Sequence, residues 1–433
     1  MFKRKIMGTL LEWKTKKQAK YLLVKGARQV GKTFIIREFG RQNYKNIVEI
    51  DPIFKVEHRK LLEDDFNAIA FYEMLSLLFP NVTFDSDTLL FFDNMQMWSS
   101  MIPNLRSLVD DGRCDIIVST TTMPEYSDGK GNSLTDKYEH QIEMFAMDFE
   151  EFLWAKGLTD EIISIFREHF ITQRQIDGYM NSKMLEYVHE YMLVGGIPRF
   201  VKLFLETQKN YGLIHLEQEK FITSYRDEIA LYIHNTSKYS QQSYFDPILS
   251  QLGPILTYNQ DPKFQKFSEV STYDGLFNLL VDIGVVKRCK NSLLDKYQST
   301  AYIQSDCCKY YVCDIGILVA MYGIQVKDIF FNQSLEENLK CRLYENFIAD
   351  VLLKKGLELR FLNSCDSCGD VDFLYDYNGE TIPIVVEIAE TKSSALAQFI
   401  NNHKAPFGYR FSTGNIKQAG KVISMPLYMA MFL

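Results

Sequence analysis

The chain has 433 residues, of which 46% are hydrophobic and 24% charged, and its formal net charge is −7. That length suits about three domains of roughly 100–200 residues each, and the negative balance argues against a protein that coats nucleic acid through bulk charge. No apolar run approaches the roughly 20 residues of a membrane helix, and Met1-Phe2-Lys3-Arg4-Lys5 does not lead into a signal-peptide core, so the expected location is the cytoplasm with no membrane partner.

The eight cysteines are irregularly spaced, which in such a chain points to reduced thiols. Cys365-x-x-Cys368 has the spacing of half a tetrahedral zinc site. Adjacent Cys307 and Cys308 would make a poor second half, and a polar loop that carries two thiols is the plainer reading.

In chain order, residues 1–20 interleave seven basic side chains with Leu10, Leu11 and Trp13, the pattern of a basic amphipathic helix. The apolar run Tyr21-Leu22-Leu23-Val24 then suits a buried parallel strand. It leads into Gly26-Ala27-Arg28-Gln29-Val30-Gly31-Lys32-Thr33, a complete G-x-x-x-x-G-K-T, followed by helical spacing through Phe34, Ile35, Ile36 and Phe39. Strand, glycine loop and helix together expose backbone N–H groups that can surround phosphates at a helix N-terminus. Lys32 would reach the β- and γ-phosphates, and the Thr33 hydroxyl would ligate Mg²⁺, which makes ATP and Mg²⁺ the expected ligands.

A second strand is expected over Asn46–Ile50 and a helix over 55–79. The third strand, Thr88-Leu89-Leu90-Phe91-Phe92-Asp93, ends in a carboxylate placed to bind the same metal. Asn94 follows where ATPases usually carry a glutamate; an amide can hold a water but cannot take its proton. The fourth strand, Asp115–Val118, runs into Ser119-Thr120-Thr121-Thr122. Thr121 could sense the γ-phosphate there, or the hydroxyl run could simply cap a turn. Residues 124–135 read as a flexible loop.

Helical patterns dominate from Met147 to about residue 234 and include the turn Val194-Gly195-Gly196-Ile197-Pro198. Short helices over 243–284 and two strand-like pieces, Val285–Arg288 and Tyr310–Cys313, suggest a winged helix that could contact DNA. Its basic residues are few (Lys287, Arg288, Lys290), so a packing or partner-protein module fits equally well. A long helix over Leu335–Lys355 and strands at 358–362, 371–376 and 382–388 follow. Glu345, Asp372 and Glu387 have the order of a metal-dependent nuclease core, in which acidic groups bind a metal that activates water. The lysine usual two residues past the second strand acid is replaced by Ala389, and Lys392 is out of register for that strand face.

Seven segments together carry a resemblance: LLVKGARQVGKT at 22–33, LLFFDNMQ at 89–96, MDFEEFLWAKG at 147–157, GGIPRFV at 195–201, YRDEI at 225–229, YENF at 344–347 and VDFLY at 371–375. The chain resembles prokaryotic AAA-type P-loop ATPases whose C-terminal half is a domain of unknown function with a restriction-endonuclease-like fold. The resemblance implies an α/β chain with four parts: a P-loop ATP-binding domain on an additional-strand parallel sheet (1–157), a helical region (158–236), a winged-helix-like domain (237–330) and a nuclease-like α/β domain (331–433). Four places depart from the family pattern. Asp93-Asn94-Met95-Gln96 stands for D-E-I-Q, Asp136-Lys137 for a Gly-Arg pair, Thr120-Thr121 for a G-S turn, and Glu387-Ile388-Ala389 for E-V-K. Lys137 supplies a point charge without a guanidinium fork. The expectation is therefore a phosphate site in Gly26 to Thr33 with Asp93, altered hydrolytic groups at Asn94, Thr121 and Lys137, and an inactive nuclease fold.

Overall fold

Five short strands line up side by side in the N-terminal half: β1 (Tyr21–Lys25), β2 (Asn46–Ile50), β3 (Thr88–Phe92), β4 (Asp115–Thr120) and β5 (Glu139–Glu143). Their order is β2-β3-β4-β1-β5, and all four pairings are parallel. Parallel strands with helices between them are covered on both faces, which is why β3 is buried along its whole length and apolar after Thr88. The helices are α1 (Ile6–Lys16), α2 (Lys32–Asn43), α3 (Ala68–Leu78) and α4 (Ile102–Asp111). Leu23, Val48, Ile50, Leu90, Phe92, Ile116 and Val118 of the sheet pack with Phe71, Tyr72 and Leu75 of α3 and with Leu105 and Leu108 of α4.

The computed structural model describes residues 1–16, 21–51, 67–95, 102–121, 139–235, 280–294, 301–331, 337–362, 371–388 and 393–433. Much of the helix expected over 55–79 lies outside them; the described part begins at Ala68, where the Asn67 side chain caps the first turn by accepting from the Ala70 N–H at 2.9 Å. Strand β5 has no counterpart in the sequence reading, because Glu-His-Gln-Ile-Glu at a sheet edge shows no apolar run.

The chain divides into two compact units, one of 4–146 with 282–284 and the other of 1–3, 147–281 and 285–433. In the second unit the helices are α5 (Phe149–Ala155), α6 (Asp160–Thr172), α7 (Gly178–Val194), α8 (Pro198–Glu206) and α9 (Tyr211–Asn235). Helix α5 starts in a full capping box between Asp148 and Glu151, and α8 starts at Pro198, a residue suited to a first helical turn. Of the short helices expected over 243–284, residues 243–279 lie outside the described residues. The two strand-like pieces belong to one longer hairpin, β6 (Val286–Leu294) and β7 (Ala301–Val312), joined by parallel pairing to β8 (Arg360–Phe361).

Helices α10 (Ile315–Met321), α11 (Ile324–Phe331) and α12 (Glu337–Lys354) follow. The terminal sheet comprises β9 (Phe373–Tyr377), β10 (Glu380–Val386), β11 (Gly408–Ser412), β12 (Lys417–Ala419) and β13 (Val422–Pro426) in the order β12-β13-β11-β10-β9. Its three middle strands run parallel, and the two edge strands are antiparallel to their neighbours. Helix α13 (Ser393–His403) covers it with Leu396, Phe399 and Ile400, and the chain ends in a buried 3₁₀ helix, Leu427–Phe432.

Two of the motif segments of this second unit, 147–157 and 195–201, meet at Met147. The Met147 N–H donates to the Gly196 carbonyl at 2.7 Å, and the Met147 carbonyl accepts from the Tyr191 hydroxyl at 2.8 Å and the Lys354 ammonium at 3.2 Å. The same hydroxyl and ammonium reach the buried Asp350 carboxylate at 2.8 Å and 2.9 Å. Burial raises the Asp350 carboxyl to about 6, against the stabilising charge of Lys354. A folded-state pKa above the unfolded one makes a contribution that is present at low pH and lost as pH rises through it.

Lys354→Met is therefore expected to cost about 3–5 kcal/mol at pH 7.5, where it leaves a buried anion without its cation. The loss should shrink at pH 5, where Asp350 is protonated in the folded state. Urea unfolding at the two pH values checks this, and an equal loss at both contradicts it.

Candidate functional site

The loop between β1 and α2 is shaped by its own backbone. Gly31 caps α2 at φ 102, a left-handed conformation that a side chain rarely adopts, so the second motif glycine is required by the turn. Val30 is buried and its carbonyl accepts from the Arg4 guanidinium at 3.0 Å, while Arg28 and Gln29 face solvent. The Gly26 N–H donates to the Thr120 carbonyl at 3.2 Å, which ties the loop to the tip of β4. Lys32 points back into the loop, where its ammonium donates to the carbonyls of Gly26 at 2.7 Å and Ala27 at 2.8 Å. Burial lowers its pKa to about 8, partly offset by the Asp93 carboxylate.

Because β4 lies between β1 and β3, the tip of β3 lies beyond β4 from the loop, and α2 spans the difference. The Thr33 hydroxyl donates to Asp93 Oδ2 at 2.8 Å. Asp93 Oδ1 accepts from the Ser119 hydroxyl and from the Asn94 N–H at 3.1 Å. Burial raises the Asp93 pKa, opposed by the bonds from Ser119 and Thr33. Asn94 is turned to φ 59, and its N–H also lies 3.2 Å from Ser119 Oγ. Thr121 is buried at the end of β4. Lys137 and Gln96 lie outside the described residues.

Two carboxylates that the sequence reading left out stand beside Asp93. Glu49, Asp51 and Asp93 each place a carboxylate oxygen within 4.8 Å of the other two. The cause is strand order: β2 and β3 are neighbours with Ile50 opposite Phe92, and the Asp93 N–H donates to the Ile50 carbonyl at 3.0 Å, so the residues after the two strands end side by side. Glu49 lies two residues back on the same face as Asp51. Arg37 on α2 grips Glu49 through two bonds of 2.6 Å and 2.5 Å. The signal in the sequence was Glu49-Ile50-Asp51 closing the second strand, two acids around one apolar residue. A hydroxyl and carboxylate oxygens are the ligand types that suit Mg²⁺, so Thr33 and Asp93 fit that ion chemically.

The acids expected to form a nuclease core behave differently. Glu345 on α12 accepts from the Tyr311 hydroxyl at 2.5 Å and the Lys309 ammonium at 3.3 Å. Asp372 accepts from the Val386 N–H at 2.8 Å, and Glu387 lies 3.5 Å from the Arg410 guanidinium. Among the described residues, the converging acidic triplet is at Asp93 and not here. Ala389, Lys392, Cys365 and Cys368 lie outside the described residues. On the hairpin, Lys290 pairs with Glu358 at 2.7 Å and Arg288 lies over the Tyr310 ring.

Residues 18–153 match the family profile described as an AAA domain. Residues 185–328 match the profile of a domain of unknown function, DUF8612. No curated protein sequence matches the chain.

Among solved structures it is similar to the Walker-type ATPase PABY2304 of Pyrococcus abyssi, with 14% identity, a TM-score of 0.42 and coverage of 74% of this chain and 96% of that one. It is also similar to PCH-2 of C. elegans, with 12% identity, a TM-score of 0.26 and coverage of 40% and 49%. For the ORC1 protein of Aeropyrum pernix, solved with DNA, the figures are 11%, 0.27, 77% and 95%. Likeness at this level carries no functional argument. No described helix is long and apolar enough to cross a membrane.

Proposed function

We propose that the chain binds Mg·ATP in its AAA-type domain and uses the bound nucleotide as a switch or a scaffold element, with slow hydrolysis. The observation that carries this is the join between Thr33 and Asp93 beside Lys32, with an amide at Asn94 next to it. In this reading the loop N–H groups of Gly26 to Thr33 and the Lys32 ammonium hold the phosphates, while Thr33 and Asp93 hold the metal. The bound Mg²⁺ would offset charge on the β- and γ-phosphate oxygens. Asn94 can orient a water but cannot accept its proton, which keeps cleavage slow. The terminal α/β layer serves as a retained nuclease-like scaffold without nuclease activity, since Glu345 and Glu387 are engaged by basic side chains.

Fluorescent-nucleotide binding and phosphate release, measured on one preparation, test this. Saturable Mg·ATP binding is expected with turnover well below about 1 s⁻¹, the lower end of usual enzyme rates. Asn94→Glu is expected to raise that turnover by about tenfold or more, at the low end of what a placed general base contributes. Wild-type turnover on the order of 1 s⁻¹ would remove the slow-hydrolysis part. An active ATPase that remodels nucleic acid or a partner protein is the second reading, favoured by the extra carboxylate of Asp51 beside Asp93.

A further inference from the structure

The phosphate loop is gripped by a side chain that precedes the first helix. We propose that Arg4 is a positioning residue of the nucleotide site, holding the peptide between Val30 and Gly31 so that the Gly31 N–H faces bound phosphate. The inference rests on the nucleotide reading above. Arg4 Nη1 donates to the Val30 carbonyl at 3.0 Å, and Nη2 donates to the Phe145 carbonyl at 2.7 Å. A peptide is planar and trans, so its carbonyl and its N–H lie in one plane and point opposite ways. A donor that fixes the Val30 carbonyl on one side therefore aims the Gly31 N–H to the other.

This peptide needs a hold beyond its own residues. It adjoins Gly31, at φ 102, and glycine accepts either sign of φ at little cost. A flip of the plane would present the Val30 carbonyl oxygen to phosphate in place of a donor, so an anion would meet the wrong end of a dipole. Nearby peptides are fixed in other ways: the Gly26 N–H donates to the Thr120 carbonyl at 3.2 Å, and the Gly31 carbonyl accepts from the Ile35 N–H at 3.0 Å in α2. The second carbonyl that Arg4 holds gives it a reference on the sheet. Phe145 follows Met144, whose N–H donates to the Lys25 carbonyl at the end of β1 at 2.7 Å. The same stretch lies hard against the loop's first glycine, where a Cβ on Gly26 would sit 2.2 Å from the Met144 carbonyl oxygen. The planar guanidinium fork serves both carbonyls at once, a geometry that a lysine ammonium does not reproduce. Arg4 thus ties the last turn of the loop to the strand end from which the loop departs.

The test follows the Gly31 amide itself. Gly31 and Gly195 are the two glycines that follow a valine, so carbonyl-¹³C valine with ¹⁵N glycine isolates them in NMR spectra of the full chain. Val194→Ile, which drops the Gly195 signal, assigns the other. Mg·ATP is expected to move the wild-type Gly31 amide proton downfield, the mark of a hydrogen bond to an anionic oxygen. In Arg4→Met that shift is expected to shrink. Mg·ATP affinity is expected to weaken by about tenfold, the scale of one lost hydrogen bond, with the same loss for inorganic tripolyphosphate. Arg4→Lys, which keeps the charge without the fork, is expected to fall between wild type and Arg4→Met. A nucleotide-free melt checks the fold of each variant, and should Arg4→Met not fold, Arg4→Lys carries the same readouts. Wild-type affinity and Gly31 shift in Arg4→Met, or in Arg4→Lys where that is the folded variant, overturn the proposal. So does weaker affinity with an unchanged Gly31 shift at saturation, which marks Arg4 as a support of the domain alone. A wild type that folds and binds no ATP removes the nucleotide reading, and this proposal with it.

Discussion

Lys32→Ala is expected to weaken Mg·ATP binding by at least about a hundredfold while leaving the fold intact. Each charge-assisted bond from an ammonium to a phosphate oxygen is worth about 1.5–3 kcal/mol, and the lysine has reach for two phosphates. In the structure the ammonium is held by the loop's own carbonyls at Gly26 and Ala27, so it is already aimed into the loop that phosphate would enter. Burial of this amine, with its pKa lowered to about 8, means the positive charge is costly without an anion and favours its arrival. Titration with a fluorescent ATP analogue measures the loss, and a thermal melt without nucleotide checks that the variant still folds. Affinity within a few-fold of wild type would show that nucleotide, if it binds, binds elsewhere.

Gly196→Ala is expected to destabilise the second unit by more than about 4 kcal/mol, in the range reserved for core disruption. A Cβ at this position would sit 1.9 Å from the Met147 carbonyl oxygen and 2.9 Å from its carbon, contacts with backbone that cannot swing aside. Moving Met147 would also disturb the Tyr191 and Lys354 bonds to that carbonyl, and moving residue 196 would break the bond its N–H donates to Asp314 at 2.7 Å. Urea unfolding of the purified variant reads the effect, and an unchanged midpoint would refute this account of why glycine stands there.

The phosphate loop was legible because its chemistry is contiguous. Gly26 to Thr33 carry their spacing along eight successive residues, and no tertiary knowledge is needed to see that Lys32 and Thr33 share one turn with the glycines. Strand β3 was legible for a related reason: a strand buried on both faces is almost wholly apolar, and Asp93 ends it abruptly. Strand β5 was not, since a polar edge strand has no periodicity to read. Ser119 was one of four hydroxyl residues in a row, and only the pairing of β3 with β4 shows that it is the one on Asp93. In the second unit, YENF at 344–347 suggested a catalytic acid. The structure instead shows Glu345 bonded to Tyr311 and Lys309, while Asn346 bonds the Val312 N–H and carbonyl at 3.0 Å and 3.1 Å.

By itself, then, the sequence determined the local devices: a loop built to surround phosphate, a strand that ends in an acid, and an amide where a glutamate is usual. Those follow from residue type and covalent spacing. Only the tertiary structure decided which distant groups stand beside them. Asp51 and Asp93 are 42 positions apart in the chain, and they meet because β2 and β3 are parallel neighbours that end level with each other. Gly196, Met147 and Asp314 likewise converge through helix packing. Strand order and helix packing arise from burial of apolar faces summed over a whole unit, which no short stretch of residues encodes.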